Sequence, residues 1–345
     1  MRNEKENLEA NSTGEPGILV GERKLTPSTF IIKYNAPIIL IVLIVVSTII
    51  SPVFLSWINI VNVLRQQTGY LIIAMGLMMC LLTGGIDLSV ASVVGFGSIM
   101  ITEMVTMRDF GIIPAILITL ACCALIGAMN GLLIAYLRMA PFIVTLAMSY
   151  GAMGLVYIVS KGANRMLTGS DPLIETFKVF GQGNDPLFGL PWRIYLTLMI
   201  ILIFWFILKY TAYGRLMTAT GSNPLAVSLA GINTKIYRFS ANVICSALAG
   251  LAGILITAAS GASSPMTVSG DYTMTAIAGA IIGGGDLGGG KGSVPLTVVG
   301  IFIMGLINNI MNLSNVPAYP QWCVKAVVII VAIFMRSVVN TRTSR

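Results

Sequence analysis

Ten apolar stretches, almost free of charge, constrain this chain more than any other feature. They lie near 34–51, 66–83, 88–106, 111–136, 142–160, 193–210, 238–260, 272–284, 293–313 and 319–336. A helix needs about 20 apolar residues to cross the hydrocarbon core of a bilayer, within a range of roughly 17 to 25. The eighth stretch is short and glycine-rich, so its ends are the least defined. Over 345 residues, 56% are hydrophobic and only 10% are charged, against about 25% charged in a soluble domain. Such a chain cannot cover itself with polar surface, which makes it an all-α membrane protein of about ten transmembrane helices. The segment 52–65, PVFLSWINIVNVLR, is too interrupted by polar residues to span and reads as an interfacial helix after the first crossing.

Ten crossings put both termini on one side. With that side cytosolic, most of the 21 basic residues fall in cytosolic segments, leaving Arg65, Arg108, Lys161, Arg165, Lys178, Arg193 and Lys325 outside. The positive-inside rule favours this orientation. The net charge of +8 is then explained by basic loops held at an anionic leaflet, and no nucleic-acid partner is needed. Residues 1–33 are polar and mixed in charge, with no cleavable signal peptide expected, and read as a cytosolic tail. A transmembrane domain follows over 34–340, then a short cytosolic tail, 341–345. An outer loop, 161–192, and a cytosolic segment, 211–237, are each long enough to dock a partner. The outer loop reads equally well as a solvated connector.

Chemistry is sparse. Histidine is absent, removing the commonest general base and metal ligand. Cys80, Cys122, Cys123, Cys245 and Cys323 all lie in apolar runs without C-x-x-C spacing and read as small buried hydrophobes. Neither H-E-x-x-H nor G-x-S-x-G occurs, so an intramembrane enzyme has no visible apparatus. The stretch IIGGGDLGGGKGSV contains Gly285 to Lys291 in the order G-x-x-x-x-G-K, one residue short of a phosphate-binding loop. Such a loop follows a buried strand in an α/β domain and continues with a Ser or Thr that holds magnesium. Here it joins two membrane helices and continues with Gly292. No cofactor and no metal is expected in this chain.

The same stretch has an echo upstream. GGIDLSVASVVG at 84–95 and GGGDLGGGKGSVPLTVVG at 283–300 share G-G-x-D-L, then S-V and V-V-G. Each follows an apolar helix, and each precedes a helix with a late small-residue or asparagine cluster, Asn130-Gly131 and Asn308-Asn309. Gly-interrupted hydrophobic segments in matching positions mark the internal repeats of transporters, so an internal pseudo-repeat is expected. Asp87 and Asp286 each stand before a new helix, where a carboxylate can cap backbone N–H groups. Gly84, Gly85, Asp87, Ser89, Asn130, Gly284, Gly285, Asp286 and Asn308 are the candidates for a helix-junction or gating role.

Three stretches together carry a family resemblance. They are TGGIDLSVASVVG at 83–95, GRLMTATGSNPLAVSLAGINTKIYRFSANVICSALAGLAGIL at 214–255, and AGAIIGGGDLGGGKGSV at 278–294. Over roughly residues 35–336 the chain resembles the permease subunits of ribose-type monosaccharide ABC importers, related to the branched-chain amino-acid permeases. The resemblance implies the ABC importer permease fold in a bacterial cytoplasmic (inner) membrane, as a homodimer or a heterodimer with a related permease. It implies a separate ABC ATPase that binds ATP and Mg, and an extracytoplasmic sugar-binding protein that delivers the solute. It also implies that Asn223 to Ile232 form the coupling helix seated in the ATPase. Asn223-Pro224 opens a short helix, with proline tolerated in its first turn. Leu225, Ala226, Leu229 and Ala230 offer apolar contacts, and Gly231 stops the turn before Ile232. Relatives often carry Glu-Ala-Ala and then Arg where this chain has Leu225-Ala226-Val227 and Ser228, so two charged contacts of that pattern are missing.

Glu103 and Lys325 lie inside apolar stretches but close enough to their ends to snorkel to the interface. Tyr319, Gln321 and Trp322 read as an interfacial belt. An ion-coupled secondary transporter would bury carboxylates or histidines at the bilayer midplane, and the two junction aspartates are the nearest this chain comes to that. A nucleoside or furanose signal could replace the sugar on the same scaffold.

Overall fold

The computed structural model describes residues 35–268 and 271–343. The expected tail 1–33 lies outside the described residues. Thirteen α-helices are described: α1 Asn35–Ile50, α2 Trp57–Leu82, α3 Val90–Thr102, α4 Ile112–Ala135, α5 Pro141–Ser160, α6 Leu173–Gln182, α7 Trp192–Tyr210, α8 Ala212–Ser222, α9 Pro224–Leu229, α10 Thr234–Ser260, α11 Asp271–Ile282, α12 Val294–Leu313 and α13 Ala318–Thr343. A π-helical turn, Glu103–Met107, continues α3, and two-residue strands β1 (Arg165–Met166) and β2 (Ala262–Ser263) pair antiparallel.

Among the described residues, six helical segments are long and apolar enough to cross a membrane: Val90–Met107, α4, α5, α7, α10 and α12. The other expected crossings fall short for different reasons. Helix α1 has 16 residues and α11 has 12. The apolar part of α13 is Ala318–Val331. Helix α2 has 26 residues but carries Arg65, Gln66 and Gln67 in its first half.

The interfacial helix expected over 52–65 is not separate. The chain turns through Pro52 to Leu55, Ser56 accepts the Asn59 N–H as an N-cap, and one helix runs unbroken from Trp57 to Leu82. Its early polar residues are tolerated because they find partners. Asn59 exchanges two amide hydrogen bonds with Asn309, of 3.1 and 2.8 Å, and Arg65 donates to Asn184 at 2.9 Å.

The second half of α2 forms the centre of the molecule, with every residue from Leu71 to Leu82 buried. A helix apolar on all sides belongs inside a bundle or in lipid, and here it is inside. Helix α10 lies against α2, α3 and α4 through Ala241, Cys245, Ala249, Ala252 and Gly253, all buried. Lipid tails are as apolar as leucine, so nothing drives these helices together by water exclusion; close van der Waals packing does, and small residues permit it. At the periphery, Leu198, Leu202 and Phe206 of α7 and Phe142, Ile143 and Ile158 of α5 are exposed, the surface a bilayer would cover.

The segment 161–192, much of it exposed, is fastened to the bundle at several points. Strand β1 pairs with β2 in the register Arg165↔Ser263 and Met166↔Ala262. Gly181 of α6 lies so close to α10 that a Cβ there would run into the Ala258 backbone. Asp171 accepts from Leu173 N at 2.8 Å and from Ile112 N at 2.7 Å, fastening the loop to the first residue of α4. These backbone donors hold the Asp171 carboxyl below the usual carboxylate range, as those of Leu187 and Phe188 do for Asp185. The loop, the end of α3 and the start of α4 thus define one end of the bundle, called here the loop end. The other, where α2, α8 and α11 finish, is the junction end.

Candidate helix junctions and coupling surface

At the junction end, α2 and α11 stop in the same way. Gly84 and Gly284 both take positive φ, 76° and 98°, conformations a side chain resists. Gly85 N donates to Cys80 O at 2.9 Å and Gly285 N to Ala280 O at 2.8 Å, each closing the six-to-one bond of a helix stop. The structural register places Gly84 opposite Gly284, one residue off the match of the G-G-x-D-L strings. The two loops also touch: Gly290 N donates to Leu82 O at 3.0 Å.

Neither aspartate caps the following helix as expected. Asp87 Oδ1 accepts from Ser89 N at 2.8 Å and from Ser89 Oγ at 2.5 Å, and Ser89, the residue before α3, makes no capping bond with its side chain. Asn130 of α4 donates to Ser89 Oγ at 3.0 Å. Asp87, Ser89 and Asn130 therefore form one fully buried chain of hydrogen bonds. Asp286 accepts from Gly288 N at 3.0 Å and faces Lys291 Nζ at 3.6 Å, well before α12 begins at Val294. The physical reason is the same in both: the carboxylate closes a turn on the N–H two residues ahead and is thereby turned away from the first helical turn.

Asn308 is not in this group. It sits in the later part of α12, while its neighbour Asn309 makes the link to Asn59 near the loop end. Cys80, Cys123 and Cys245 are buried as expected, whereas Cys122 is partly exposed and Cys323 exposed, because each faces outward from its helix. Sγ of Cys80 and of Cys245 and a carboxylate oxygen of Asp87 lie within 4.8 Å of one another, so these three could ligate a thiophilic cation. Cys80 Sγ already donates to Ala241 O at 3.6 Å.

The segment expected to couple forms an exposed knob. Asn223 Oδ1 accepts from Ala226 N at 3.0 Å, Pro224 takes the first helical position, and Gly231, with φ 79°, ends the turn. Ile232 N then donates to Val227 O at 3.3 Å. Val227 is the single buried residue of α9, while Leu225 is 68% and Leu229 80% exposed. Ala226, Ala230 and Gly231 are also exposed. Two leucines held out on a tightly capped turn are not accounted for by the protein's own packing. Sequence reasoning missed Val227, whose inward side chain aims the other two. Behind the knob, Gly221 of α8 sits against the end of α2, where a Cβ would run into the Leu82 carbonyl oxygen.

Sequence reasoning also missed Asp271. Lys325 does not snorkel; its Nζ lies 3.1 and 3.2 Å from the two Asp271 carboxylate oxygens, and Tyr70 OH donates to Oδ2 at 3.0 Å. Three helices, α2, α11 and α13, meet at this carboxylate. Glu103 likewise pairs, more loosely, with Arg165 at 4.0 Å.

Beside the Gly84 junction a cavity of about 390 Å³ opens between α4, α5 and α10. Thr83, Gly84 and Gly85 form one wall, Asn242 another, and Arg138, Lys235 and Arg238 line it with no acidic side chain among the lining residues.

Comparison with known proteins shows the family of the chain. Residues 59–335 match the model of a family described as "Branched-chain amino acid transport system / permease component". The ribose import permease protein RbsC of Escherichia coli K12 is 34% identical over 316 residues, 92% of this chain and 97% of its own length. RbsC of Bacillus subtilis 168 is 34% identical over 298 residues, 86% and 90% of the two chains. The L-arabinose transport system permease protein AraH of Escherichia coli K12 is 32% identical over 304 residues, 87% and 89%. No solved structure matches.

Proposed function

Because the chain belongs to the family of permease components of branched-chain amino acid transport systems, we propose that it is the membrane-spanning permease subunit of an ATP-driven importer for a small sugar. The observation that carries this is similarity along nearly the whole chain to permeases named for ribose and arabinose, with D-allose added by a third relative. The chain forms the path and hydrolyses nothing; a separate ATPase supplies the energy. It does so as a homodimer, or with a related permease, and receives its solute from an extracytoplasmic binding protein.

In this reading the junction end faces the cytosol, as the positive-inside distribution of charge favours. Helix α9 is the coupling helix. Leu225 and Leu229 enter an apolar groove of the ATPase, where fully burying a leucine contributes about 1.5–3 kcal/mol. Apolar docking takes the place of the charged contacts this segment lacks. Ten crossings and a pseudo-repeat are part of the same reading, supported by the shared helix stop at Gly84 and Gly284 and the alternation of helix ends between the two faces. Motion of α9 would reach the junctions through Gly221, packed on α2.

The test is co-purification after gentle solubilisation from native membranes. An ABC ATPase and a sugar-binding protein are expected in the eluate, with the ligand of the latter naming the cargo. Leu229→Asp should remove the ATPase while the permease still elutes as a folded species. A permease that comes out alone, yet transports in liposomes on a proton or sodium gradient, would sink the proposal.

A further inference from the structure

We propose that the cavity between α4, α5 and α10 binds the phosphate headgroup of an anionic membrane lipid. Its lining brings three cationic side chains, Arg138, Lys235 and Arg238, around one space with no carboxylate to balance them. None of the three is in an ion pair among the described residues. Arg238 shows the imbalance most clearly. Its Nε is buried without a hydrogen-bond partner among the described residues, so only the outer part of the guanidinium is left to face the cavity. The Asn242 amide, which also lines the cavity, donates to the Arg238 carbonyl at 2.8 Å. Lys235 Nζ rests over the Tyr136 ring at 5.7 Å, a contact that orients the ammonium without neutralising it.

The surroundings select the source of the anion. The walls are the ends of α4, α5 and α10, three of the helices long and apolar enough to cross a membrane. At the cavity's edge, Leu137 and Met139 of the turn between α4 and α5 and Phe142 and Ile143 of α5 are exposed, an apolar skirt that acyl chains would cover. Basic pockets between membrane helices on the cytoplasmic side are suited to lipid phosphates. A volume near 390 Å³ admits a phosphodiester and its polar substituent. Thr83, Gly84 and Gly85 make up part of the wall, so an occupant would touch the stop of α2 directly. The lining residues all come from this chain, and the site does not depend on which solute is carried.

The experiment is native mass spectrometry and thermal unfolding of the full-length protein, delipidated in neutral detergent and then given phosphatidylglycerol, phosphatidylcholine or inorganic phosphate. Phosphatidylglycerol should be retained and raise Tm; phosphatidylcholine should do neither. Each of Arg238→Gln and Lys235→Gln should lower retention about fivefold, the usual contribution of one basic residue near an anionic surface. Lys235→Arg should keep it, and so should Lys178→Gln on the remote loop. If Arg238→Gln proves unstable, Lys235→Gln carries the test together with Arg138→Gln, whose site is exposed. Equal retention of both lipids, or retention unchanged in the variants, overturns the proposal. Inorganic phosphate reproducing the full Tm rise would overturn it in favour of a small-anion site. Loss of ATPase co-purification in the variants, with lipid retention intact, would assign the cavity to an acidic protein surface instead.

Discussion

The junctions after α2 and after α11 stop their helices alike and then use an aspartate differently. Both carboxylates accept the N–H two residues ahead. Asp87 is then sealed in the bundle, its partner Ser89 held by Asn130 from α4. Asp286 stays partly exposed and faces the ammonium of Lys291, itself 61% exposed. The difference lies in the chain beyond each turn. Helix α3 starts at Val90, directly after the turn that Asp87 closes, whereas a glycine-rich run separates Asp286 from α12 and carries the carboxylate out of the packed region. A shared local turn thus becomes either an internal strut or a surface loop according to the length of chain behind it.

Four measurements press on this contrast. The largest effect is expected where the two loops are packed together. Gly221→Val drives a side chain into the Leu82 carbonyl beneath both loops, and overpacking of this kind costs about 1–3 kcal/mol or more. The folded fraction in fluorescence-detected size exclusion should fall sharply; full recovery would mean the loops are not clamped there. Next comes Asp87→Ala, which strands the buried Ser89 N–H and hydroxyl at about 1–3 kcal/mol, read as a drop in Tm. Asp286→Ala should cost less than about 1 kcal/mol, because an exposed ion pair contributes little. Equal Tm shifts for the two alanine variants would erase the distinction drawn between the junctions.

The smallest effect belongs to the loop end, where Asp171 makes the same local turn but bridges to α4. Its folded-state pKa lies below its unfolded value. The stabilisation is therefore present above the unfolded carboxylate pKa and is lost as pH falls through the folded one. Limited proteolysis of 161–192 should accelerate only at acidic pH, and Asp171→Asn should show the faster cleavage at neutral pH. A cleavage rate independent of pH would remove Asp171 as the fastener.

Much of this was legible along the chain. Each apolar stretch coincides with a described helix, because helices in a bilayer satisfy their own backbone and need only length and composition. The knob at α9 was legible too: an asparagine cap, a proline at the first position and a glycine at the stop act within a single turn. Its inward residue, Val227, was not, since which side of a short helix is buried depends on what α8 and α10 leave open. The unbroken α2 was misread for the same reason. Asn59 and Arg65 look like interruptions until Asn309 and Asn184 are placed beside them.

By itself, then, the amino-acid sequence determined the membrane class, the helices, the two glycine stops and the place of the exposed turn, all properties of neighbouring residues. Only the tertiary structure decided that Lys325 pairs with Asp271, that Asn59 pairs with Asn309 across 250 positions, and that three cations gather around one cavity. Charge in a low-dielectric interior is tolerated only with a partner, and no periodicity along a chain says which distant helix will bring that partner within reach.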